Sequence, residues 1–225
     1  LSSSSAASDV YKRQVPVLSI RTEPLQNPVN RLAKRLFDLT FSSLFLLTIF
    51  PFIYLFVGLI IKISSPGPIF FKQERNGENG KIFKCYKFRS MKVNALSDSL
   101  QATKNDPRKT KFGNFLRKSN LDELPQFINV FKGEMSIVGP RPHMLKHTEE
   151  YSQLINKYMM RHLVKPGITG WAQVTGYRGE TKELSQMEGR VRRDLWYIEN
   201  WTFLLDIRIM IKTVTNMFRG EKNAY

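Results

Sequence analysis

Two adjacent acidic residues, Asp122 and Glu123, are the residues of this chain best suited to chemistry. They follow Ser119 and Asn120, two residue types that cap helices, and they precede apolar residues at helical spacing. Adjacent carboxylates suit phosphoryl chemistry, because one can attack phosphorus while the other binds a divalent ion that neutralises the phosphate oxygens. The local sequence by itself favours the alternative, a capping box in which the acids only satisfy backbone N–H groups.

The acidic pair is predicted to lie in the first turn of a helix that ends at Gly133. Its buried face is predicted from apolar residues at helical spacing, namely Leu124, Phe127, Ile128 and Phe131. Pro125 is tolerated there because the N–H groups of a first turn have no partner within the helix. Since the first turn is the positive end of the helix dipole, with Arg117 just upstream, both carboxylates are expected to stay ionised.

One arginine is held in a stiff turn downstream of the acidic pair. An apolar stretch beginning at Ser136 ends in a Gly/Pro turn, where Pro140 and Pro142 flank Arg141. Arginine is the preferred bidentate ligand of phosphate, so a contact to a nucleotide phosphate is one interpretation. A plain turn that carries a solvated arginine is the other.

A β-hairpin is predicted upstream of the acidic pair. Residues 69–75 and 81–91 are rich in aromatic and apolar side chains, and the Asn/Gly-rich residues 76–80 between them suit a tight loop. Lys87 and Arg89 lie on the second arm. Their spacing is compatible with phosphate contacts and equally with a solvated basic strand.

A glycine-rich segment, residues 165–179, combines aromatic residues with two cations and is predicted to cradle a sugar nucleotide, although it matches no Walker A or dinucleotide fingerprint. His143 and His147 are four residues apart and could meet on one helix face. No HExxH acid or cysteine accompanies them, so a transition-metal site is not favoured.

The composition limits the classes of partner. The chain has 225 residues and a formal net charge of +16, with 35 Lys and Arg against 19 Asp and Glu, which predicts anionic partners. A single cysteine, Cys85, excludes an internal disulfide framework and a cysteine metal cluster. A nucleic-acid-binding module would need a basic stripe and a known motif, and neither is visible. A noncatalytic membrane scaffold is a further alternative, which would tolerate the loss of Asp122.

One hydrophobic segment, Leu36 to Ile61, is long enough to cross a bilayer and carries one charge, Asp38. Pro51 lies in its middle and predicts a kink. The flanks are basic on both sides, through Arg31, Lys34 and Arg35 before the segment and Lys62, Lys72 and Arg75 after it. A spanning helix normally has such an excess on one side. A helix that enters one leaflet, bends near Pro51 and returns to the same face explains both features; a spanning helix and a buried core helix are the alternatives.

The two ends of the chain are less informative. Residues 1–14 lack the features of a signal peptide, and residues 1–28 are interpreted as a non-native or flexible segment followed by a linker with several prolines. Leu195 to Phe218 has apolar residues at mixed helical spacing and begins with several aromatic residues. Core packing and a helix at the membrane interface both fit this pattern.

From about residue 29 to about residue 220, the chain resembles the bacterial sugar transferase family, the monotopic phosphoglycosyl transferases. The resemblance rests on seven motifs in order, which is far more specific than any single one. They are Lys34-Arg35-Leu36-Phe37-Asp38, Ser65-Pro66-Gly67-Pro68, Lys87-Phe88-Arg89-Ser90-Met91, Asp106-Pro107-Arg108, Arg117 to Gln126, Gly139-Pro140-Arg141-Pro142, and Lys165 to Trp171.

The resemblance implies a ping-pong transfer of a sugar phosphate. In such a reaction an aspartate attacks the β-phosphate of a UDP-sugar, UMP leaves, and polyprenyl (undecaprenyl) phosphate takes the sugar phosphate, as the first membrane step of exopolysaccharide, capsule or O-antigen synthesis. Carried over by position, the roles are Asp122 as nucleophile, Glu123 as Mg²⁺ ligand, Arg117 and Arg141 as phosphate contacts, Pro140 and Pro142 as shapers of the loop, and Lys87 and Arg89 nearby. The glycine-rich segment resembles that of members that transfer glucose or galactose.

The same resemblance implies an architecture and a location. We expect an irregular, helix-dominated α/β fold with a flexible segment over 1–28, a re-entrant membrane helix over 29–66 that bends at Pro51, and a catalytic domain over 67–225 with a β-hairpin and interfacial helices. Phe50 stands where the family often has serine before the proline. The expected partners are inner-membrane lipids rather than nucleic acid, with the catalytic domain on the cytosolic face of the bacterial inner membrane; a homo-oligomer is also compatible. Larger members carry further N-terminal membrane helices and a regulatory domain.

Overall fold

A computed structural model describes residues 23–93, 106–179 and 183–219 of the chain. Its helices and strands are α1 (Pro28–Thr48), α2 (Phe50–Ser64), β1 (Phe70–Asn76), β2 (Ile82–Phe88), α3 (Lys111–Lys118), α4 (Gln126–Lys132), β3 (Ser136–Val138), α5 (Leu145–Leu154), β4 (Gly167–Thr169), α6 (Trp171–Val174), α7 (Leu184–Glu199) and α8 (Phe203–Arg219). The expected helix-dominated α/β composition with a small hairpin is confirmed. Residues 1–22 of the expected N-terminal segment lie outside the described residues.

The hydrophobic segment forms two helices rather than one. Helix α1 ends at Thr48, α2 begins at Phe50, and the two axes are bent by 56°. Pro51 stands in the first turn of α2, where it has no N–H to donate to the carbonyl of Leu47, so the hydrogen-bond ladder breaks there. No single helix among the described residues is both long and apolar enough to cross a bilayer, whereas the bent pair passes that test when its two helices are taken together.

A buried polar cluster fastens α1 to α8. The ammonium of Lys34 donates to Asp206 at 2.5 Å, and Tyr197 and Trp201 donate to the same carboxylate at 2.7 and 3.0 Å. All four residues are buried. Because every polar group at this point has a partner, the cluster can stay in the interior without a large desolvation penalty.

Lys34 belongs to the motif Lys34–Asp38, and two further residues of this motif bind α1 to the elements around the acidic pair. Arg35 donates to two carbonyls at the C-terminal end of α4, at 2.6 and 2.8 Å. The carboxylate of Asp38 accepts the backbone N–H of Ile137, in β3, at 3.0 Å. The Lys-Arg-Leu-Phe-Asp motif therefore attaches the bent helix pair to three separate elements of the rest of the fold.

The segment from Leu195 to Phe218 is divided between two helices. Helix α7 ends at Glu199 and α8 begins at Phe203, with Trp201 in the connection. Tyr197 and Trp201 are buried in the cluster with Asp206, so these two aromatic residues pack in the core. Trp196 is partly exposed and stacks on Trp171 with ring centroids 5.0 Å apart.

Strands β1 and β2 form the predicted antiparallel hairpin, with Phe70 opposite Phe88. Phe70 also packs against Phe50 and Tyr54 of α2, so the hairpin rests on the bent helix pair. On its other side, the buried side chain of Asn129 in α4 donates to the carbonyl of Lys84 and accepts the N–H of Tyr86. This amide occupies backbone groups along the edge of β2 and fixes α4 beside the hairpin.

The buried face of α4 only partly matches the predicted one, since Gln126, Asn129 and Val130 are buried as well. Phe127 is buried and Leu124 and Ile128 pack against the core, as expected, but Phe131 is 48% exposed. The polar Asn129 is buried instead. The hydrogen bonds that Asn129 makes with the hairpin explain why this polar residue faces inward.

Glycines in the motifs Gly139–Pro142 and Lys165–Trp171 allow the backbones of the two loops that contain these motifs to lie in direct contact. Strands β3 and β4 are parallel, and the N–H of Gly139 donates to the carbonyl of Thr169 at 2.9 Å. A Cβ atom at Gly139, Gly167 or Gly170 would collide with backbone atoms of the facing loop. Glycine is therefore required at these positions, and the contact fixes the place of the loop that carries Arg141.

Candidate active site

The acidic pair neither starts a helix, as predicted, nor forms the capping box that was the alternative interpretation. Residues 121–123 form a separate 3₁₀ turn, and α4 begins at Gln126. Ser119 donates to carbonyls of the preceding helix instead of accepting from the turn. Asn120 adopts a left-handed conformation, and its side-chain oxygen accepts a hydrogen bond from Arg178. Ser119 and Asn120, whose residue types suit a helix start, thus end α3 and bind a distant loop.

Asp122 and Glu123 are both buried at the wall of a cavity of about 320 Å³. The hairpin, the turn at residues 121–123, the loop after β3 and α7 all contribute to this cavity. Its basic lining residues include Arg75, Lys87, Arg89, Arg108, Arg117, Arg141, Arg178 and Arg190. Such a concentration of cations favours a polyanionic ligand, and a diphosphate is of a size that fits.

The carboxylate of Glu123 is bound by two cations. Lys87 donates to one of its oxygens at 2.8 Å, and Arg141 binds both oxygens at 2.5 and 3.0 Å. Burial alone would raise the pKa of Glu123, but the charges and hydrogen bonds of Arg141 and Lys87 hold that pKa well below its usual value. Glu123 is therefore ionised at any physiological pH.

Asp122 has the opposite environment. No described residue donates a hydrogen bond to its carboxylate. Burial raises the pKa of Asp122 to about 6, and the charge of Glu123 adds to the rise, while Lys87, Arg117 and Arg141 oppose it. The predicted cause of their ionisation, the dipole of a helix that starts at these acids, is wrong because α4 begins only at Gln126; a pKa of about 6 still leaves Asp122 mostly ionised at pH 7.

The candidate cations named from the sequence divide into two groups. Lys87 and Arg141 bind Glu123, and the charge of Arg117 acts on Asp122 across the cavity. Arg89 is buried and donates to the carbonyls of Ser65 and Pro66, in the turn after α2. Arg89 thus lines the cavity while its guanidinium holds the exit of the helix pair in place.

The prolines shape the loop around Arg141. The carbonyl of Pro140 accepts the N–H of Gly167 at 2.9 Å, and Pro142 lines the cavity. Arg161, which is almost completely buried, donates to the carbonyl of Arg141 at 2.8 Å and to Asp194 of α7 at 2.8 Å. The backbone of Arg141 is therefore fixed both by the neighbouring loop and by a buried ion pair.

Sequence reasoning missed this ion pair, although α7 carries a signal for it. The buried stripe of that helix contains Met187, Val191 and Ile198 at helical spacing, and Arg190 and Asp194 fall on the same stripe. A charged residue on an apolar helix face must be paired in the folded protein. Applied to the sequence of this helix, that rule identifies both positions as candidates for a buried ion pair.

The glycine-rich segment contributes less to the cavity than predicted. Its middle part forms β4 and α6 and packs against the core. Of its described residues, Arg178 and Gly179 line the cavity. Arg178 also bonds to Asn120, so the end of the segment is fastened to the turn that carries the acidic pair.

The carboxylates suit Mg²⁺ in one particular manner. Among the described residues, no group of three or more His, Cys, Asp or Glu side chains is arranged to hold a metal ion. Mg²⁺ commonly binds one or two carboxylates and completes its shell with water and substrate phosphate oxygens. Glu123 supplies one such carboxylate, so the donor set fits an ion that arrives with a phosphate ligand.

The family model of the bacterial sugar transferases matches residues 29–220. The chain belongs to the bacterial sugar transferase family. It is 55% identical over 94% of its length to the UDP-glucose:undecaprenyl-phosphate glucose-1-phosphate transferase of Escherichia coli (strain K12), covering 45% of that protein. It is 50% identical over 94% of its length to the protein of the same name from Xanthomonas campestris pv. campestris, covering 44%. It is also 45% identical over 84% of its length to the exopolysaccharide production protein PSS of Rhizobium leguminosarum bv. phaseoli, covering 96%.

This bacterial sugar transferase thus spans less than half the length of the first two relatives. The motifs that carry its resemblance to the family gather around the cavity or hold its walls. The acidic pair and Arg141 line the cavity, and Arg89 fastens the turn formed by Ser65 and Pro66. These motifs therefore meet around one site, although they are far apart in the sequence.

Proposed function

We propose that this chain transfers a sugar 1-phosphate, glucose or galactose, from a UDP-sugar to undecaprenyl phosphate, through a covalent intermediate on Asp122. One observation carries the proposal: a buried carboxylate without hydrogen-bond donors among the described residues lies beside a second carboxylate that two cations hold ionised. The names of the relatives support the same donor and acceptor.

The first step forms a bond between an Asp122 oxygen and the β-phosphorus of the UDP-sugar. The bond from that phosphorus to the bridging oxygen breaks, and UMP leaves with the electron pair on that oxygen. No proton has to move, because UMP departs as a phosphate anion. A carboxylate without donors keeps its lone pairs available for attack, which is why the lack of partners favours Asp122 over Glu123 as nucleophile.

The second step reverses the geometry at phosphorus. An oxygen of undecaprenyl phosphate attacks the phosphorus bound to Asp122, the aspartyl–phosphorus bond breaks, and the carboxylate is restored. The product is undecaprenyl diphosphate sugar. Arg141 and Lys87 hold Glu123 in place between steps and can contact the phosphate oxygens as substrate enters.

Glu123 would hold Mg²⁺ together with substrate phosphates. Such an ion, when bound, neutralises charge on the phosphate oxygens that an anionic nucleophile must approach. The two protein cations on Glu123 supply part of that neutralisation before substrate binds. Removal of divalent ions with EDTA should abolish UMP release, and Mg²⁺ should restore it.

The apolar faces of α1 and α2 suit insertion into one leaflet of the inner membrane. Leu47, Phe52, Leu55 and Phe56 are among the large apolar side chains exposed there. Because the acceptor keeps its tail in lipid, an active site near the cytosolic surface of that membrane reaches both substrates. Labelling of single cysteines at residues 29 and 68 in intact vesicles would test re-entry: both positions should react from one side, whereas a spanning helix would place them on opposite sides.

The test of the reaction is UMP release by purified protein in nanodiscs with Mg²⁺, undecaprenyl phosphate and a panel of UDP-sugars. We expect release with UDP-glucose or UDP-galactose and none with Asp122→Asn. Mass spectrometry of the protein without acceptor should detect a hexose phosphate on the peptide that contains residue 122. A folded wild-type protein that releases no UMP with any sugar would overturn the proposal.

A further inference from the structure

His143 is a buried histidine at the cavity wall whose role sequence reasoning left open. Its Nδ1 lies 2.7 Å from the hydroxyl of Tyr158 and 2.8 Å from Nη1 of Arg161. Its Nε2 lies 3.4 Å from Nη1 of Arg190. These three distances determine where the imidazole carries its proton.

A guanidinium donates hydrogen bonds and cannot accept them. The close contact with Arg161 therefore requires Nδ1 to be an acceptor, and the proton of the neutral ring must be on Nε2. Burial, followed by the charges of Arg161, Arg190 and Arg75, lowers the pKa of His143 well below its usual value, so the ring is neutral. With the proton on Nδ1 instead, two N–H donors, from His143 and Arg161, would face each other at 2.8 Å. With the proton on Nε2, the two facing donors are those of His143 and Arg190, and their separation of 3.4 Å makes the repulsion much weaker.

The Nε2–H of His143 consequently points at another donor. Arg190 is also buried at the cavity wall, and its Nε and Nη2 donate to the carbonyls of Tyr177 and Gly179. Among the described residues, no acceptor lies within hydrogen-bond distance of His143 Nε2. A buried donor without an acceptor is costly, and an oxygen that approaches both nitrogens from the cavity would accept a hydrogen bond from it.

We propose that His143 and Arg190 form a binding site for a phosphate oxygen of the nucleotide, next to the phosphorus that Asp122 attacks. The inference rests on the proposed function and adds to it the residues that hold the leaving group. His143 and Arg141 are two residues apart, so their Cα atoms lie within about 7 Å of each other. One diphosphate can therefore contact both.

The charges around His143 select an anion rather than a neutral carbonyl. The groups that act most strongly on its ring are the cations Arg161, Arg190 and Arg75. A neutral uracil oxygen would leave this positive potential uncompensated, whereas a phosphate oxygen neutralises part of it.

The position of the pair within the cavity selects the nucleotide over the lipid. His143 and Arg190 line the cavity together with Gly179 and Met187, from the glycine-rich segment and α7. Pro68 and Phe70 line it from the side of the helix pair, where Phe70 packs on Phe50 and Tyr54 of α2. The lipid acceptor has its tail with the helix pair, so its phosphate enters from that side.

Two substitutions at one position separate binding from folding. In His143→Asn, the side-chain oxygen can replace the acceptor Nδ1, but the donor toward the cavity is lost. In His143→Gln, an amide N–H can replace the donor Nε2, but the acceptor for Arg161 and Tyr158 is lost. The inference predicts that Asn is the more harmful change to catalysis, and a purely structural role predicts that Gln is.

The readout is the specificity constant for each substrate, because in a ping-pong reaction kcat/KM for one substrate reports its own half-reaction. We expect His143→Asn to lower kcat/KM for the UDP-sugar by about 10- to 100-fold, the worth of a hydrogen bond to a charged group. The value for undecaprenyl phosphate should stay within about twofold. A loss confined to undecaprenyl phosphate, or equal in both, would overturn the assignment.

Binding of UMP and of uridine by calorimetry gives a test that needs no turnover. Wild type should prefer UMP, and His143→Asn should lose that preference while its uridine affinity is unchanged. An equal loss for both ligands would place the base, not the phosphate, at His143. Wild-type protein that binds UMP but releases none from UDP-sugars would overturn the proposed reaction and leave this site in place. Equal binding by wild type and variant would overturn the site while the reaction stood.

Discussion

Two buried aspartates in this protein have opposite surroundings. Asp206 accepts hydrogen bonds from Lys34, Tyr197 and Trp201 and joins three helices. Asp122 is nearly as buried but receives no hydrogen bond from the described residues, and burial raises its pKa to about 6. The same side chain is thus fully satisfied in one region and left unsatisfied in the other.

The difference separates a structural carboxylate from a reactive one. Three donors on Asp206 lower its energy and also occupy its lone pairs. Asp122 keeps its lone pairs for an incoming phosphorus, at the cost of an unfavourable buried charge. Stability and reactivity therefore make opposite demands on a buried acid, and the fold meets one demand in each place.

The largest effect should come from Asp122→Asn. Loss of the nucleophile should lower UMP release by at least about 10³-fold. The same change should raise the free energy of unfolding at pH 8 by up to about 3 kcal/mol, because a pKa shift of two units corresponds to about that much. The raised pKa destabilises the fold once the group is charged, so the gain should disappear as the pH falls toward 4. Denaturation curves of the wild type and the variant at pH 8 and pH 4 would test this prediction. A variant less stable than wild type at pH 8 would contradict the view that Asp122 carries an unfavourable buried charge.

Asp206→Asn should have the reverse signature. It leaves Lys34 buried without its counter-charge, which typically costs about 3–5 kcal/mol. Unfolding by urea, followed by the fluorescence of Trp201 and its neighbours, should measure the loss. If the variant folds at low temperature, it should retain most of its UMP release there. A variant as stable as wild type would mean that the cluster is not what holds α1 to α8.

The pH dependence sharpens the contrast between Asp122 and Glu123. The nucleophile must be ionised, so kcat/KM for the UDP-sugar should fall about tenfold per pH unit below about pH 6. In Glu123→Gln the residual activity should have a lower midpoint, because the negative charge that raises the pKa of Asp122 is gone. A midpoint that rises in this variant would contradict the assigned coupling.

Asp194 is an intermediate case, since it is buried and bound by Arg161, which in turn holds the backbone of Arg141. Arg161→Lys keeps the charge but loses the planar guanidinium, which donates to Asp194 and to the Arg141 carbonyl at the same time. We expect a fall in kcat of about tenfold, with a smaller change in thermal stability than Asp206→Asn causes. Unchanged kcat with a large loss of stability would assign the ion pair to the fold alone.

The smallest effect is expected at the surface. Arg31 and Glu78 form an ion pair at 2.6 Å, but the Arg31 side chain is 55% exposed. Glu78→Gln should change the free energy of unfolding by no more than about 0.5 kcal/mol and leave UMP release unaltered. A larger effect on either measurement would show that this pair belongs with the buried networks.

Local pattern sufficed for several elements of the fold. The Asn/Gly loop between aromatic runs predicted the hairpin, and Pro51 predicted the position of the break between α1 and α2. These features depend on the backbone preferences of a few neighbouring residues, and those preferences follow directly from the residue types. The assignment of the chain to three regions, 1–28, 29–66 and 67–225, stays a prediction.

Predictions that depended on long-range partners were less accurate. Ser119 and Asn120 have the right residue types for a capping box, yet their partners lie in α3 and at Arg178. Arg89 lines the cavity, so its predicted place near phosphate stays a prediction, but its hydrogen bonds to the carbonyls of Ser65 and Pro66 were not predicted. A side chain with several possible partners takes the one that the fold brings close, and local sequence does not contain that information.

By itself, the sequence determined the residue types at the site, the adjacent acids, the arginine between two prolines and the apolar segment that a proline interrupts. The tertiary structure decided which of the two acids receives hydrogen bonds from cations. Lys87 comes from the hairpin and Arg141 from the loop after β3, and both bind Glu123 rather than its neighbour. The two acids are adjacent in sequence and differ in pKa because burial and charge depend on distances in space, which only the folded chain sets.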